Sequence, residues 1–255
     1  MIRLKRTAST YFLDCPTVGV ARLRGALDFQ LHQGVKKARR VFFYMIAKLW
    51  HFTFNERTYR YFYHPYGRTW ENERAVEVPI IWREIKKHEA QRILEVGNVL
   101  SHYNPVQHDI VDKYEKAPGV TNVDIRNFDT SKNYDLIASI STIEHVAYDD
   151  LSLKERENID FESLEGALRV AIENLKRHLS NGGKIVITVP LGYNPAFDRL
   201  LKEENIFSNI RYLKRISKNN IWREANNSEI HNVRYDWPFI RGNGVAVCVY
   251  QHIPK

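Results

Sequence analysis

Acidic residues in this 255-residue chain recur at the ends of short apolar runs. Glu95 lies in Ile93-Leu-Glu-Val-Gly97, Asp112 closes the run from Val106, and Asp124 follows Val120-Thr-Asn-Val123. A carboxylate where a buried strand surfaces can accept hydrogen bonds from the hydroxyl or amino groups of a ligand. Gly97 and Asn98 come directly after the first of these strands, and a glycine there removes a side chain so that a ligand can approach the backbone. A fourth run, Tyr134-Asp-Leu-Ile-Ala-Ser-Ile140, carries Ser139, Ile140 and Ser141 towards Glu144-His145. That pair sets a carboxylate beside an imidazole, and histidine is suited to take a proton from a reacting group. Its plainer use is to cap a helix and shape a pocket wall. Asp149 and Asp150 stand near enough in sequence to join it around a divalent metal, although nothing in the pattern requires one.

The elements that must position these residues alternate. Val78–His88 reads as a helix with Pro79 near its first turn. Arg92–Gly97, Val106–Asp112, Val120–Ile125 and Tyr134–Ile140 read as strands. Leu164, Leu168, Ala171, Ile172, Leu175 and Leu179 recur at helical spacing over Phe161–Leu179, with Asn181-Gly-Gly183 as a stop. Lys184–Pro190, Ile210–Ile216 and Gly244–Tyr250 complete the strands. Strands alternating with helices predict an α/β fold: a mostly parallel sheet with helices on both faces. The last strand, after a short turn, suits an antiparallel edge.

The order of these elements resembles the class I S-adenosylmethionine-dependent methyltransferases over roughly residues 90–195, particularly small enzymes of sugar and surface-polysaccharide biosynthesis. The resemblance implies a Rossmann-like fold and S-adenosylmethionine as cofactor. It places the ribose hydroxyls on Asp112, the adenine amino group on Asp124, and the methionine moiety near Glu95, Gly97 and Asn98. Ser139, Ile140 and Ser141 would line the pocket beside the methyl group, with Glu144 and His145 as catalytic residues. The implied activity is O-methylation of a sugar or glycan precursor. The alternative is a non-catalytic module of the same fold that binds a partner. The sequence departs from the family in one respect. Only Gly97 remains of the usual glycine-rich loop, so Asn98 is expected to take a turn conformation that glycine normally adopts, and the helix between Gly97 and Asp112 must be stunted. No G-x-G-x-x-G phosphate cradle is present, which argues against a nicotinamide cofactor.

Residues 59–77 are crowded with aromatics and fall where such enzymes place a lid. His64 and Tyr66 are the candidate substrate contacts there, with Tyr193 and Asn194 after the fifth strand. Residues 1–77 thus read as a basic and aromatic extension, with a helical portion, and 78–255 as the cofactor-binding domain. The net charge of +8 resides wholly in residues 1–50, which hold ten Lys or Arg against two Asp. Lys36–Arg40 abuts the apolar run Val41–Trp50. This pattern suits a helix packed on the domain or on a second copy in a homodimer. It also suits, though less directly, peripheral attachment to an anionic membrane face or to a glycosyltransferase. Basic and aromatic residues are not interleaved as in nucleic-acid-reading motifs, so no nucleic-acid partner is expected. Two cysteines without metal spacing and no spanning segment predict a cytoplasmic protein.

Overall fold

The structure, a computed structural model, describes residues 50–88, 92–203 and 206–252. The basic stretch, the helical extension and all of the apolar run except Trp50 lie outside the described residues. The first elements are strands β1 (His51–Phe54) and β2 (Arg57–Arg60), an antiparallel pair turning through Asn55 and Glu56, both with positive φ. Helix α1 (Arg74–Lys87) follows and begins a turn earlier than the sequence pattern implies. Pro79 therefore sits inside it, where proline cannot bond back to the carbonyl four residues earlier. That freed carbonyl, on Ala75, accepts the Phe62 N–H at 2.9 Å, which ties the aromatic segment to the helix.

Next come strands β3 (Ile93–Val96), β4 (Asp109–Val111), β5 (Val120–Thr121) and β6 (Tyr134–Ile140). The short helix α2 (Leu153–Glu157) and the long α3 (Phe161–Arg177) lead to β7 (Leu179–Pro190) and α4 (Pro195–Leu200). The chain continues with β8 (Asn209–Arg215), β9 (Trp222–Ala225), α5 (Asn227–Ile230) and β10 (Gly244–Gln251). Eight strands form one sheet in the order β5-β4-β3-β6-β7-β10-β8-β9. The first five are parallel, whereas β10 runs antiparallel to both neighbours and β9 antiparallel to β8. This is a Rossmann-like α/β arrangement, mostly parallel with an antiparallel edge.

The edge strand is β9. The final strand, expected there, is instead inserted between β7 and β8. Residues Gly244 to Cys248 are buried without interruption, as a strand covered on both faces requires. Alternate residues of the parallel strands, including Ile137, Ile185 and Ile187, share a core with Leu164, Leu168, Ile172 and Leu175 of α3. Helix α1 packs on β6 and β7 from the other side. Gly182-Gly183 does not stop α3, which ends at Arg177 with His178 as its cap. The two glycines lie within β7 beside an irregularity in its pairing with β6. Between β3 and β4 only a 3-10 turn, Leu100–His102, replaces a full helix, as the short interval demands.

Candidate functional site

The strand order reverses between β3 and β6, so a crevice opens beyond their carboxyl ends. A cavity of about 320 Å³ occupies it, lined among others by Gly97, Asn98, Asp112, Asp124, Ser141, Thr142 and His145. Gly97 has φ +88, and a Cβ at this position would lie 2.1 Å from Thr142 Oγ1. Asn98, by contrast, is not among the residues with positive φ. The left-handed turn belongs to Gly97 itself, and Asn98 instead anchors the loop. Its N–H donates to Asp112 Oδ2 at 3.1 Å, and its Nδ2 donates to Glu115 Oε1 at 2.7 Å.

Asp112 lines this cavity while its Oδ1 accepts the Tyr114 and Glu115 N–H groups, each at 2.8 Å. Asp124 caps the turn Ile125–Asn127, and Arg126 grips its carboxylate through Nε and Nη2 at 2.9 and 2.6 Å. These charged hydrogen bonds hold the Asp124 carboxyl well below the usual carboxylate range. Lys113 spans from Asp124 (3.4 Å) to Asp150 (2.7 Å) and so ties the loops after β4, β5 and β6 together at the rim.

Glu95 lies elsewhere. It is fully buried, and its Oε1 accepts the Val99 and Leu100 N–H groups at 3.0 and 2.9 Å. His108 Nε2 stands 2.7 Å from its Oε2. Its carboxylate thus shapes the loop after Gly97 and does not line the cavity. Ser139 is likewise buried and donates to the Val96 carbonyl at 2.9 Å. Ile140 presents its backbone carbonyl, which accepts from Arg74 Nη1 at 2.7 Å. Ser141 reaches the cavity in a left-handed conformation (φ +39), with its hydroxyl 2.7 Å from Glu77 Oε1.

A second cavity of about 640 Å³ abuts the first, and Arg74, Asn98, Val99, Ser141 and His145 line both. Tyr66, Tyr103, Tyr193 and Tyr235 contribute rings to it, alongside Glu73, Glu144 and Arg241. His145 sits at the junction. Its Nδ1 is 2.7 Å from Asp149 Oδ2, and Asp149 also accepts from Tyr193 Oη at 2.8 Å. Glu144 is fully buried, neither of its carboxylate oxygens has a hydrogen-bond partner, and His145 Nε2 stands 3.7 Å from Oε1. Burial pushes its carboxyl well above the usual range. Glu77 is pushed up to about 7 by the same cause, opposed by Arg74 at 3.9 Å.

Tyr193 and Tyr66 therefore face the second cavity, but His64 and Asn194 do not. The His64 ring packs against Tyr103, with its Nδ1 accepting the Tyr66 N–H at 3.2 Å. Asn194 caps α4 through Oδ1 and donates to the Glu144 carbonyl at 2.7 Å. Most of the aromatic segment is internal packing, since Tyr59, Tyr61 and Tyr63 are all buried. Sequence reasoning missed Arg74, Glu77, Tyr235 and Arg241. The first two stand three residues apart ahead of an apolar helical pattern, a spacing that puts both on one helix face. The last two come from a loop far along the chain, and no local signal marks them. Among the described residues no group of three or more His, Cys, Asp or Glu is placed to hold a metal ion, and no helix is long and apolar enough to cross a membrane.

No family model matches the chain, and no curated protein matches it. Among solved structures it is similar to the N-methyltransferase NodS from Bradyrhizobium japonicum, at 13% identity over 71% of this chain and 97% of that one, with a TM-score of 0.38. It is also similar to an S-adenosylmethionine-dependent methyltransferase from Thermotoga maritima, at 12% identity over 64% and 82%, with a TM-score of 0.37. The sugar N-methyltransferase KedS8 from Streptoalloteichus gives 15% identity over 71% and 74%, with a TM-score of 0.32. Likeness at this level says nothing about what the chain acts on.

Proposed function

We propose that this chain is an S-adenosylmethionine-dependent methyltransferase acting on a hydroxyl of a sugar or glycan precursor. The observation that carries this reading is the junction of two cavities at the switch point of the sheet, with a histidine oriented by an aspartate between them. The first cavity fits the cofactor. Gly97 leaves backbone open where any side chain would collide with Thr142, Asp112 and Asp124 offer carboxylates for ribose and adenine, and Arg74 offers a guanidinium for the carboxylate of the methionine moiety. Glu95 would act through the loop it holds, not by contact.

When bound, the cofactor supplies an electrophilic methyl group on a sulfonium. The chain must then present a nucleophile in line and receive its proton. His145 serves the second need: Asp149 engages Nδ1, which leaves Nε2 to accept the hydroxyl proton. The four tyrosines offer apolar faces and hydroxyls, a combination suited to a sugar ring.

Calorimetric titration with S-adenosylhomocysteine tests the reading, with Asp112→Ala and Glu95→Ala as controls. Saturable binding that Asp112→Ala weakens at least tenfold is expected. Absence of binding at millimolar ligand would sink the enzyme and leave the partner-binding module as the account of this fold.

A further inference from the structure

Three buried acids cluster at the second cavity: Glu73 and Glu144 line it, Glu77 stands behind the Ser141 that lines it, and two of the three are matched. Glu73 accepts the Gly242 N–H at 2.8 Å and lies within the field of Arg215 and Arg241. Glu77 accepts from the Ser141 hydroxyl and has Arg74 at 3.9 Å. Neither carboxylate oxygen of Glu144 has a hydrogen-bond partner and no guanidinium pairs with it, Arg74 acting only through its field, although it is fully buried and lines the cavity. Its nearby imidazole is already engaged by Asp149.

A carboxylate withdrawn from water and left unmatched is costly, so a group arriving in this cavity is favoured if it brings both hydrogen-bond donors and positive charge. A hydroxyl brings only the first. An ammonium brings both, and the rings of Tyr66, Tyr103, Tyr193 and Tyr235 add faces that attract a cation. We propose that the acceptor is an amino sugar, and that Glu144 pairs with its free ammonium group beside the atom that is methylated. This rests on the methyl-transfer reading in taking the second cavity as the acceptor site.

The test is calorimetry of the full chain with a matched series: the methyl glycosides of a hexosamine, its N-acetyl derivative and the parent hexose. Each is titrated with and without saturating S-adenosylhomocysteine. The free amine is expected to bind roughly tenfold or more tighter than either neutral member, the scale of a desolvated charged contact. E144Q is expected to bring the three within about twofold of one another, consistent with loss of that contact. S-adenosylhomocysteine affinity and the melting temperature report whether E144Q is folded, and if it is not, the wild-type series decides alone. Lack of amine preference in the wild type, by equal binding or by no binding, overturns the proposal, as does a preference that survives in folded E144Q. Failure of S-adenosylhomocysteine to bind would instead count against methyl transfer, and the series without it would still decide for or against the amine.

Discussion

His145 and Asp149 lie four residues apart, and the turn closed by the Asp149 N–H on the His145 carbonyl at 3.1 Å brings their side chains to 2.7 Å. An imidazole held in this way has one nitrogen committed and the other free to exchange a proton, so loss of the ring should affect chemistry more than binding. His145→Ala is expected to retain affinity for S-adenosylhomocysteine while lowering turnover roughly a hundredfold or more. Asp149→Asn should lower turnover less, since the ring remains. Normal turnover in the histidine variant would remove it from the mechanism. Gly97 makes the opposite kind of prediction. Gly97→Ala adds a Cβ 2.1 Å from Thr142 Oγ1 at a φ of +88. Overpacking and left-handed strain together should cost about 2–4 kcal/mol. Denaturant unfolding reads this directly, and an unchanged midpoint would show that the loop adapts.

At the scale of elements, α1 does more than cover the sheet. Its first turn delivers Arg74 to both cavities and sets Glu77 beneath Ser141. The guanidinium therefore compensates a buried acid and also faces the cofactor cavity, and the two roles can be separated. Arg74→Met should destabilise the fold by about 2 kcal/mol, because a buried carboxylate loses its nearest cation. Adding Glu77→Gln should return most of that stability without restoring S-adenosylhomocysteine affinity. If the double variant regained affinity, Arg74 would have no direct part in binding. The hydrogen bond from Phe62 to the carbonyl that Pro79 leaves open fixes the aromatic segment against this same helix.

At the scale of the whole molecule, buried acids give stability a pH dependence of definite sign. Glu77 titrates near its ordinary value of 4.5 when unfolded and at about 7 when folded, because burial disfavours its charge. A raised carboxyl pKa contributes stability that is complete below the unfolded value and is lost as pH rises through the folded one. Glu144 shifts in the same direction, as does Asp198, which burial pushes up to about 6. Asp124 shifts oppositely, and its contribution is lost only below its ordinary 3.8. Stability should therefore fall between about pH 4.5 and 7, with Glu77 contributing at most ~3 kcal/mol at 1.36 kcal/mol per pH unit. Glu77→Gln should flatten that slope in thermal melts. An equal slope in the variant would place the titration elsewhere.

How much of this was legible beforehand varies with the range of the interactions involved. Tyr134–Ile140 reads as a buried strand because burial on both faces leaves no room for polar alternation, and it is found with those bounds. The same reasoning applied to Gly244–Tyr250 would have placed that strand in the interior, but pairing partners are set by contacts across the sheet. The two acids after β4 and β5, with Gly97, reach one cavity because strands of a parallel sheet open at one end. The burial of Glu95 against its own loop amides is not legible, since residue type does not say which way a carboxylate turns. Nor is the second cavity. Tyr66, Glu144, Tyr193 and Arg241 come from four separate stretches. Local sequence determines strands, turns and the acids at their ends through short-range sterics and hydrophobic burial. Only the packed sheet decides which distant side chains share a wall, and hence that Glu144 stands in that wall without a hydrogen-bond partner.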